Sequence, residues 1–424
     1  MSSRTDQTST LSPTRVRLAL LALALGGFGI GSTEFVAMGL LPEIGRDLLP
    51  ALAASSPDDA NAQAGWIISA YALGVVVGAP TIAAVAARWP RKRLLLTLLV
   101  VFTLGTIASA LLPTFELVLA ARFLSALPHG AYFGIASLVA ASLMGPGKRA
   151  RGVALVLSGL TIANVIGVPL ITWLGQAQGW RTAYLAVAGI FALTFVAVAV
   201  AVPWQAGDPG ATLARELKAF SRVQVWFALA IGAIGFGGLF AVYSYVAPLA
   251  TEVTGLPASM VPVVLVAFGL GMTIGNFVGG RLADWSVRRS MYLFFAVLAV
   301  ALFVLGLTAA NPVGLFVGVF LIGGSSAALS PTIQARLMDV ARDSQSIAAA
   351  LNHSALNIGN SLGALLGGLA IAGGLGYVAP IWIGLGLTFA GIALAIASFA
   401  IDRSRGRRGV VVPYATGAMA AVEV

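Results

Sequence analysis

Gly280-Arg281-Leu282-Ala283-Asp284-Trp285-Ser286-Val287-Arg288-Arg289 is a short polar turn held between two apolar runs, Ser259–Ala283 and Ser290–Ala310. Each run is close to the roughly 20 residues that an α-helix needs to cross a hydrocarbon core of about 30 Å. The pattern continues in both directions. Upstream lie Arg17–Leu41, Gln63–Ala87, Leu94–Leu112, Glu116–Leu143, Gly152–Leu174, Thr182–Val202 and Val223–Ala250; downstream lie Pro312–Leu337, Ser346–Gly374 and Ala379–Ile401. Pro203–Arg222 is the longest polar stretch among them and divides six runs from six. The expected architecture is an all-α membrane protein: twelve transmembrane helices in two pseudo-symmetric six-helix bundles. The expected segments are a cytoplasmic tail at 1–14, a first bundle at 15–203, a cytoplasmic linker at 204–222, a second bundle at 223–402 and a cytoplasmic tail at 403–424.

Composition agrees with a lipid solvent. Of 424 residues, 59% are hydrophobic and 9% charged, and the mean hydropathy is +0.95. A soluble chain of this size carries far more charge. The polar stretch from Met1 to Thr14 lacks a small-residue cleavage site, so the first run is expected to stay as a span. The absence of cysteine excludes disulfides, thiol catalysis and cysteine metal sites, and two histidines are too few for a histidine-built metal centre. The net charge of +10 is a topology signal. With the N-terminus inside, roughly 22 of the 25 basic residues fall in cytoplasmic segments, among them Lys148, Arg215, Lys218, Arg336 and Arg342. Arg46 and Arg181 fall outside, and Arg122 falls within a span. Nucleic acid is therefore not an expected partner, and the chain is expected to be a multi-pass inner (plasma) membrane protein with both termini cytoplasmic.

The two halves resemble each other. Ala83-Ala84-Val85-Ala86-Ala87-Arg88-Trp89-Pro90-Arg91-Lys92 follows helix 2 of the first half as Gly280–Arg289 follows helix 2 of the second, and both end in a basic pair. The second-half turn is similar to the Gly-x-Leu-Ala-Asp loop signature of the major facilitator superfamily, with Val287 where glycine is usual. The first copy departs further, with Ala87 in place of aspartate and Pro90 in place of glycine. Arg122 followed by Gly130 on helix 4 resembles the family's intramembrane arginine signature. Gly159, Gly167, Pro169 and Gly175 on helix 5 resemble its antiporter signature. Gly31-Ser32-Thr33-Glu34-Phe35-Val36-Ala37-Met38-Gly39-Leu40-Leu41-Pro42 and the helix 11 run Ala350–Asn360 resemble the twelve-helix drug:proton antiporters, the branch of chloramphenicol-resistance and arabinose-type exporters. The resemblance implies the major facilitator fold, working as a monomer. It implies proton-coupled efflux of small, mostly apolar drugs by alternating access, with chloramphenicol-like molecules among the candidates and antibiotic resistance as the consequence. Export of a sugar or other metabolite by the same fold is the alternative; a membrane-embedded enzyme is a remote one. No cofactor or metal is implied.

Individual residues sharpen this expectation. Glu34 is the one carboxylate deep in the predicted spans, about two-thirds along helix 1. An unpaired carboxylate in lipid is costly, so it pairs or takes up a proton. That makes it the expected proton-coupling residue; the alternative is a glutamate fixed by helix dipoles. Arg122 needs an anionic or carbonyl partner there, and the resemblance implies a relay or gating role beside Glu34; anchoring of helix 4 is the alternative. His129 lies seven residues on, on the same helical face, and is expected either in the relay or as an ordinary interhelical hydrogen-bonding group. His353, Asn357 and Asn360 form a polar stripe on helix 11 that must face the bundle interior, and cavity lining competes with interhelical bonding. Phe240 and Tyr243 on helix 7, near Phe236 and Tyr245, are candidates to stack on a flat ligand, and Asn164 is a candidate pore residue. Gly159, Ala163, Gly167 and Gly175 form a smooth strip for close helix approach, and Pro169 permits a bend. Gly280 belongs to the loop signature, and Asp284, Arg288 and Arg289 are expected to form a cytoplasmic charge cluster that biases one conformation.

Overall fold

The computed structural model describes residues 12–86, 88–145, 149–207, 221–341 and 345–408. Outside them lie the tail expected at 1–14 up to residue 11, most of the linker expected at 204–222, the terminal tail from 409, and Ala87, Lys148, Arg215, Lys218 and Arg342. Every described element is helical, as lipid requires of a chain that must satisfy its backbone internally.

The spanning helices are Pro13–Gly39 (helix 1), Pro57–Ile82 (2), Arg91–Leu111 (3), Phe115–Met144 (4), Arg151–Gln178 (5), Trp180–Ala201 (6) and Val223–Tyr243 (7), then Pro312–Ala341 (10), Leu351–Leu375 (11) and Ala379–Asp402 (12). Between helices 7 and 10 runs one apolar segment, Ala258–Thr308, of 51 residues. At 1.5 Å per residue this is about 76 Å, more than twice the hydrocarbon thickness, so it comprises two spans. They divide at Ser286, whose φ of −166° and ψ of 104° break the helix; these are helices 8 and 9. The chain therefore has twelve transmembrane helices in two pseudo-symmetric bundles of six.

Several details add to the sequence expectation. The stretch between helices 1 and 2 is no open loop: Leu41–Leu48 and Pro50–Ser55 are helices, and Pro57–Ala64 extends helix 2, each with proline in its first turn, where the missing N–H costs nothing. Asp284 lies on one side of the backbone break at Ser286, and Arg288 and Arg289 lie on the other. Among the described residues no ion pair joins them, because the break at Ser286 interrupts the four-residue helical spacing. Arg289 instead covers the Trp285 ring at 5.0 Å. Gly280 has open space where a side chain would grow, so close packing does not require it. Arg336, counted above as a cytoplasmic charge, is 7% exposed. It donates to Gln224 Oε1 and Ser398 Oγ, both at 3.1 Å, and pairs with Asp402. These contacts tie helices 7, 10 and 12 at the basic end of the second bundle.

Close approach is made by small residues. Gly159 on helix 5 lies against the Ala24 carbonyl of helix 1, and Gly167 against Ser32 and Phe28; a larger side chain at either position collides. Residues 163–167 form one wide π-turn, in which the Val168 N–H reaches back to the Ala163 carbonyl. Pro169, which has no N–H, follows directly.

Candidate functional site

The centre of the molecule is assembled from helices 1, 2 and 4 of one bundle and 7, 8 and 11 of the other. Glu34 lies in the last turns of helix 1 and is 6% exposed. Helix 4 is interrupted at Leu127 and Pro128, so Phe115–Ala126 and His129–Met144 are separate helical pieces. The break brings His129, at the start of the second piece, toward helix 1, with Nε2 4.0 Å from Glu34 Oε2. That is beyond hydrogen-bond length and within reach of a side-chain rotation.

Arg122 is fully buried. Among the described residues it forms no ion pair with Glu34. Its Nη1 donates to Thr33 Oγ1 at 2.9 Å and its Nη2 to the Thr33 carbonyl at 2.7 Å. Its guanidinium sits over the rings of Tyr71 at 4.3 Å and Tyr184 at 5.1 Å. The cation is thus satisfied by a carbonyl, a hydroxyl and two aromatic faces. Tyr71 links the groups further: its hydroxyl is 3.3 Å from His129 Nδ1. Thr33, Tyr71 and Tyr184 escaped the sequence reading. The one available signal, that a buried tyrosine in an apolar run needs a hydroxyl partner, applies to Tyr71 alone.

The opposite bundle supplies Asn360, whose amide approaches Glu34 while neither of its polar atoms closes a hydrogen bond. Asn357 Nδ2 donates to the His353 carbonyl at 3.0 Å, and its Oδ1 is buried without a partner, as is Asn164 Oδ1. The Asn164 backbone packs on Gly269 of helix 8, which places this residue at the boundary between the bundles. Beside Glu34, Phe35 stacks on Phe240 at 6.4 Å and tilts against Tyr243 at 5.5 Å; Tyr243 stacks on Phe268 at 4.1 Å. Phe35 and Phe268 are further members that the sequence reading did not single out. Phe236 joins the edge of this group, whereas Tyr245 bonds the Ala364 carbonyl at 2.7 Å and serves helix packing. His353 turns to helix 4: its ring is 6.0 Å from that of His129 and parallel to Phe133 at 5.5 Å.

Among the described residues, the hydrogen bonds between bundles lie at mid-span or toward the face that carries residues 41–65. Ser69 Oγ donates to the Ser361 carbonyl at 3.3 Å, Gln176 Nε2 to the Ala258 carbonyl at 3.0 Å, and Ser354 Oγ to the Val76 carbonyl at 3.5 Å. Tyr377 is the strongest link. Its hydroxyl accepts from Asn61 Nδ2 and donates to Asp58 Oδ1, both at 2.7 Å. Burial pushes the Tyr377 phenol up from its ordinary value, so the hydroxyl keeps its proton. No group of three or more metal-ligating side chains occurs among the described residues.

Comparison with known proteins agrees with this architecture. The sequence model of the Major Facilitator Superfamily matches residues 23–285 and 229–414. The chain is 38% identical over 383 residues to the inner membrane transport protein YdhP of Escherichia coli (strain K12), covering 90% of this chain and 95% of that one. It is 33% identical over 384 residues to a chloramphenicol resistance protein of Streptomyces lividans, with the same coverage. A crystal structure of a D-xylose-proton symporter superposes with a TM-score of 0.71 at 15% identity, over 89% of this chain and 97% of that one; this similarity concerns the fold. Six helices on either side of a buried acidic and amide-rich centre, and a family match that runs through both halves, have one meaning: the chain is a membrane transporter of the major facilitator superfamily and not an enzyme.

Proposed function

We propose that this protein exports small, mostly apolar molecules in exchange for protons, working as a monomer in a bacterial inner membrane with both termini cytoplasmic. The observation that carries the reading is the position of Glu34. It is a buried carboxylate held between Arg122 and His129 of its own bundle and Asn360 of the other, next to an aromatic wall of Phe35, Phe240, Tyr243 and Phe268. A proton arriving from outside neutralises Glu34; substrate arriving from inside takes the adjacent space and a proton leaves. Thr33 and Tyr71 hold Arg122 so that its charge acts on Glu34 without neutralising it in a tight pair. The two bundles rock across the close contact of helix 5 with helix 8, where Asn164 packs on Gly269, and the site faces each side in turn. Chloramphenicol-like molecules are the proposed substrates, in line with the name of the Streptomyces relative, and antibiotic resistance is the expected phenotype.

One observation favours the second reading, export of a sugar or other metabolite. The amides of Asn164, Asn357 and Asn360 retain unpaired buried atoms, which would serve a hydroxyl-rich solute. The test is substrate-induced proton release from purified protein in weakly buffered detergent, run with chloramphenicol and a set of sugars. Acidification on chloramphenicol alone supports drug exchange, acidification on a sugar alone favours the second reading, and binding of either without proton release defeats proton coupling.

The Tyr377 link is proposed as an outer latch. Tyr377→Phe removes two hydrogen bonds, worth together about 1–2 kcal/mol, and is expected to raise the outward-open population roughly tenfold. Because the chain has no cysteine, a single cysteine at Ser69 and a membrane-impermeant thiol reagent report the change directly.

A further inference from the structure

His353 and His129 are the two histidines of the chain, and they sit on opposite bundles with ring centroids 6.0 Å apart. From this juxtaposition we infer that His353 belongs to the proton site rather than to the substrate site: it is a positioning residue through which helix 11 senses the charge on His129. The inference rests on the reading of Glu34 and His129 as the proton-exchanging pair. Three observations orient it. The His353 ring lies parallel to that of Phe133 on helix 4, with centroids 5.5 Å apart, so one of its faces is turned to the opposite bundle. A side chain at Gly130, one residue from His129, would come within 4.0 Å of His353 Cβ, so helix 4 passes close to helix 11 here. Asn357, its neighbour on the stripe, spends its N–H on the His353 carbonyl, which ties helix 11 locally instead of opening the stripe to solvent.

The physics is like-charge repulsion across a moving boundary. Two imidazoles at this separation in a low-dielectric interior do not carry two protons without strong mutual opposition. A proton held by His129 against Glu34 is therefore compatible with this contact only while His353 is neutral; a second proton favours the arrangement in which helices 4 and 11 part. The titratable groups on the elements around His353 are Tyr71 on helix 2, His129 and Tyr132 on helix 4, Tyr243 on helix 7 and Arg336 at the far end of helix 10, with Glu34 and Arg122 behind His129. Tyr132 donates to the Leu23 carbonyl, and Arg336 is paired with Asp402. His129 is thus the group that changes charge within reach of His353.

The test uses protons alone and the full chain. Cysteines at Trp89 and Trp285, both exposed, carry spin labels on the basic face, and the distance between them is followed in lipid nanodiscs from pH 5 to 9. In the parent, acid is expected to shift the population to the longer distance as helices 4 and 11 part and the basic face opens. In His353→Gln the midpoint is expected to move by about one pH unit, a tenfold change in apparent proton affinity. A midpoint equal to the parent's, or a parent that does not respond to pH, overturns the inference. Glu34→Gln is the separate control: if it keeps the parent midpoint, the Glu34 reading itself has failed. Should His353→Gln fold poorly, the double variant His129→Gln/His353→Asn is compared with His129→Gln. Coincident midpoints support action through His129, and distinct ones overturn it.

Discussion

Glutamine in place of Glu34 is expected to lower proton-driven export by at least about 100-fold, the scale on which a positioned acid–base group acts, while the protein still folds. Glutamine keeps the shape and the hydrogen-bonding reach of glutamate toward His129 and Asn360, but it exchanges no proton. Burying an amide costs less than burying a carboxylate, so thermal stability in detergent should be unchanged or higher. The measurement is efflux from proteoliposomes under an imposed pH gradient, paired with a thermal melt of the same preparation. Aspartate at the same position keeps a titratable group about one methylene further from His129, and partial transport is expected. Export by Glu34→Gln at the wild-type rate would show that the proton is carried elsewhere.

Arg336→Ala has the largest expected effect on stability, a loss of about 3 kcal/mol, the scale of breaking a buried ion pair by removing one partner. The arginine has three acceptors, Gln224, Ser398 and Asp402, and lies over Phe399 at 4.7 Å. Removing it leaves the carboxylate of Asp402 at the edge of the bilayer and strips helices 7, 10 and 12 of their common tie. Asp402→Asn should cost less, about 1 kcal/mol, because Asp402 is 38% exposed and the amide oxygen still accepts. Denaturant or thermal unfolding of the two variants side by side gives the comparison. A loss under about 1 kcal/mol in Arg336→Ala would mean that water enters the cluster and satisfies it.

Arg122 and Arg336 show where reading residues one at a time stops. Arg122 was singled out because it falls within an apolar run, where a cation must have a partner. Which partner was open, and the structure answers with the Thr33 carbonyl and two tyrosine rings instead of a carboxylate. Arg336 lies at the end of a run, where hydropathy does not separate a loop charge from a buried one. Its burial depends on Gln224 and Asp402, which are 112 and 66 residues away in sequence. Likewise, Asp284 and Arg288 have the spacing of a helical ion pair, and only the backbone turn at Ser286 removes it.

Twelve spans, their division into two halves and the family resemblance were legible in the chain alone, because lipid forces each crossing to be one long apolar helix and leaves the charge to the ends. The same logic marks Glu34 and Arg122 as costly exceptions. Tertiary structure alone decided what meets them: Tyr71 between Arg122 and His129, Phe35 and Phe268 in the aromatic wall, and His353 turned toward helix 4. These are contacts between helices far apart in sequence, set by glycine-lined crossings and by the break before His129. Apolar periodicity places a residue on a helix and says little about the neighbour it will face.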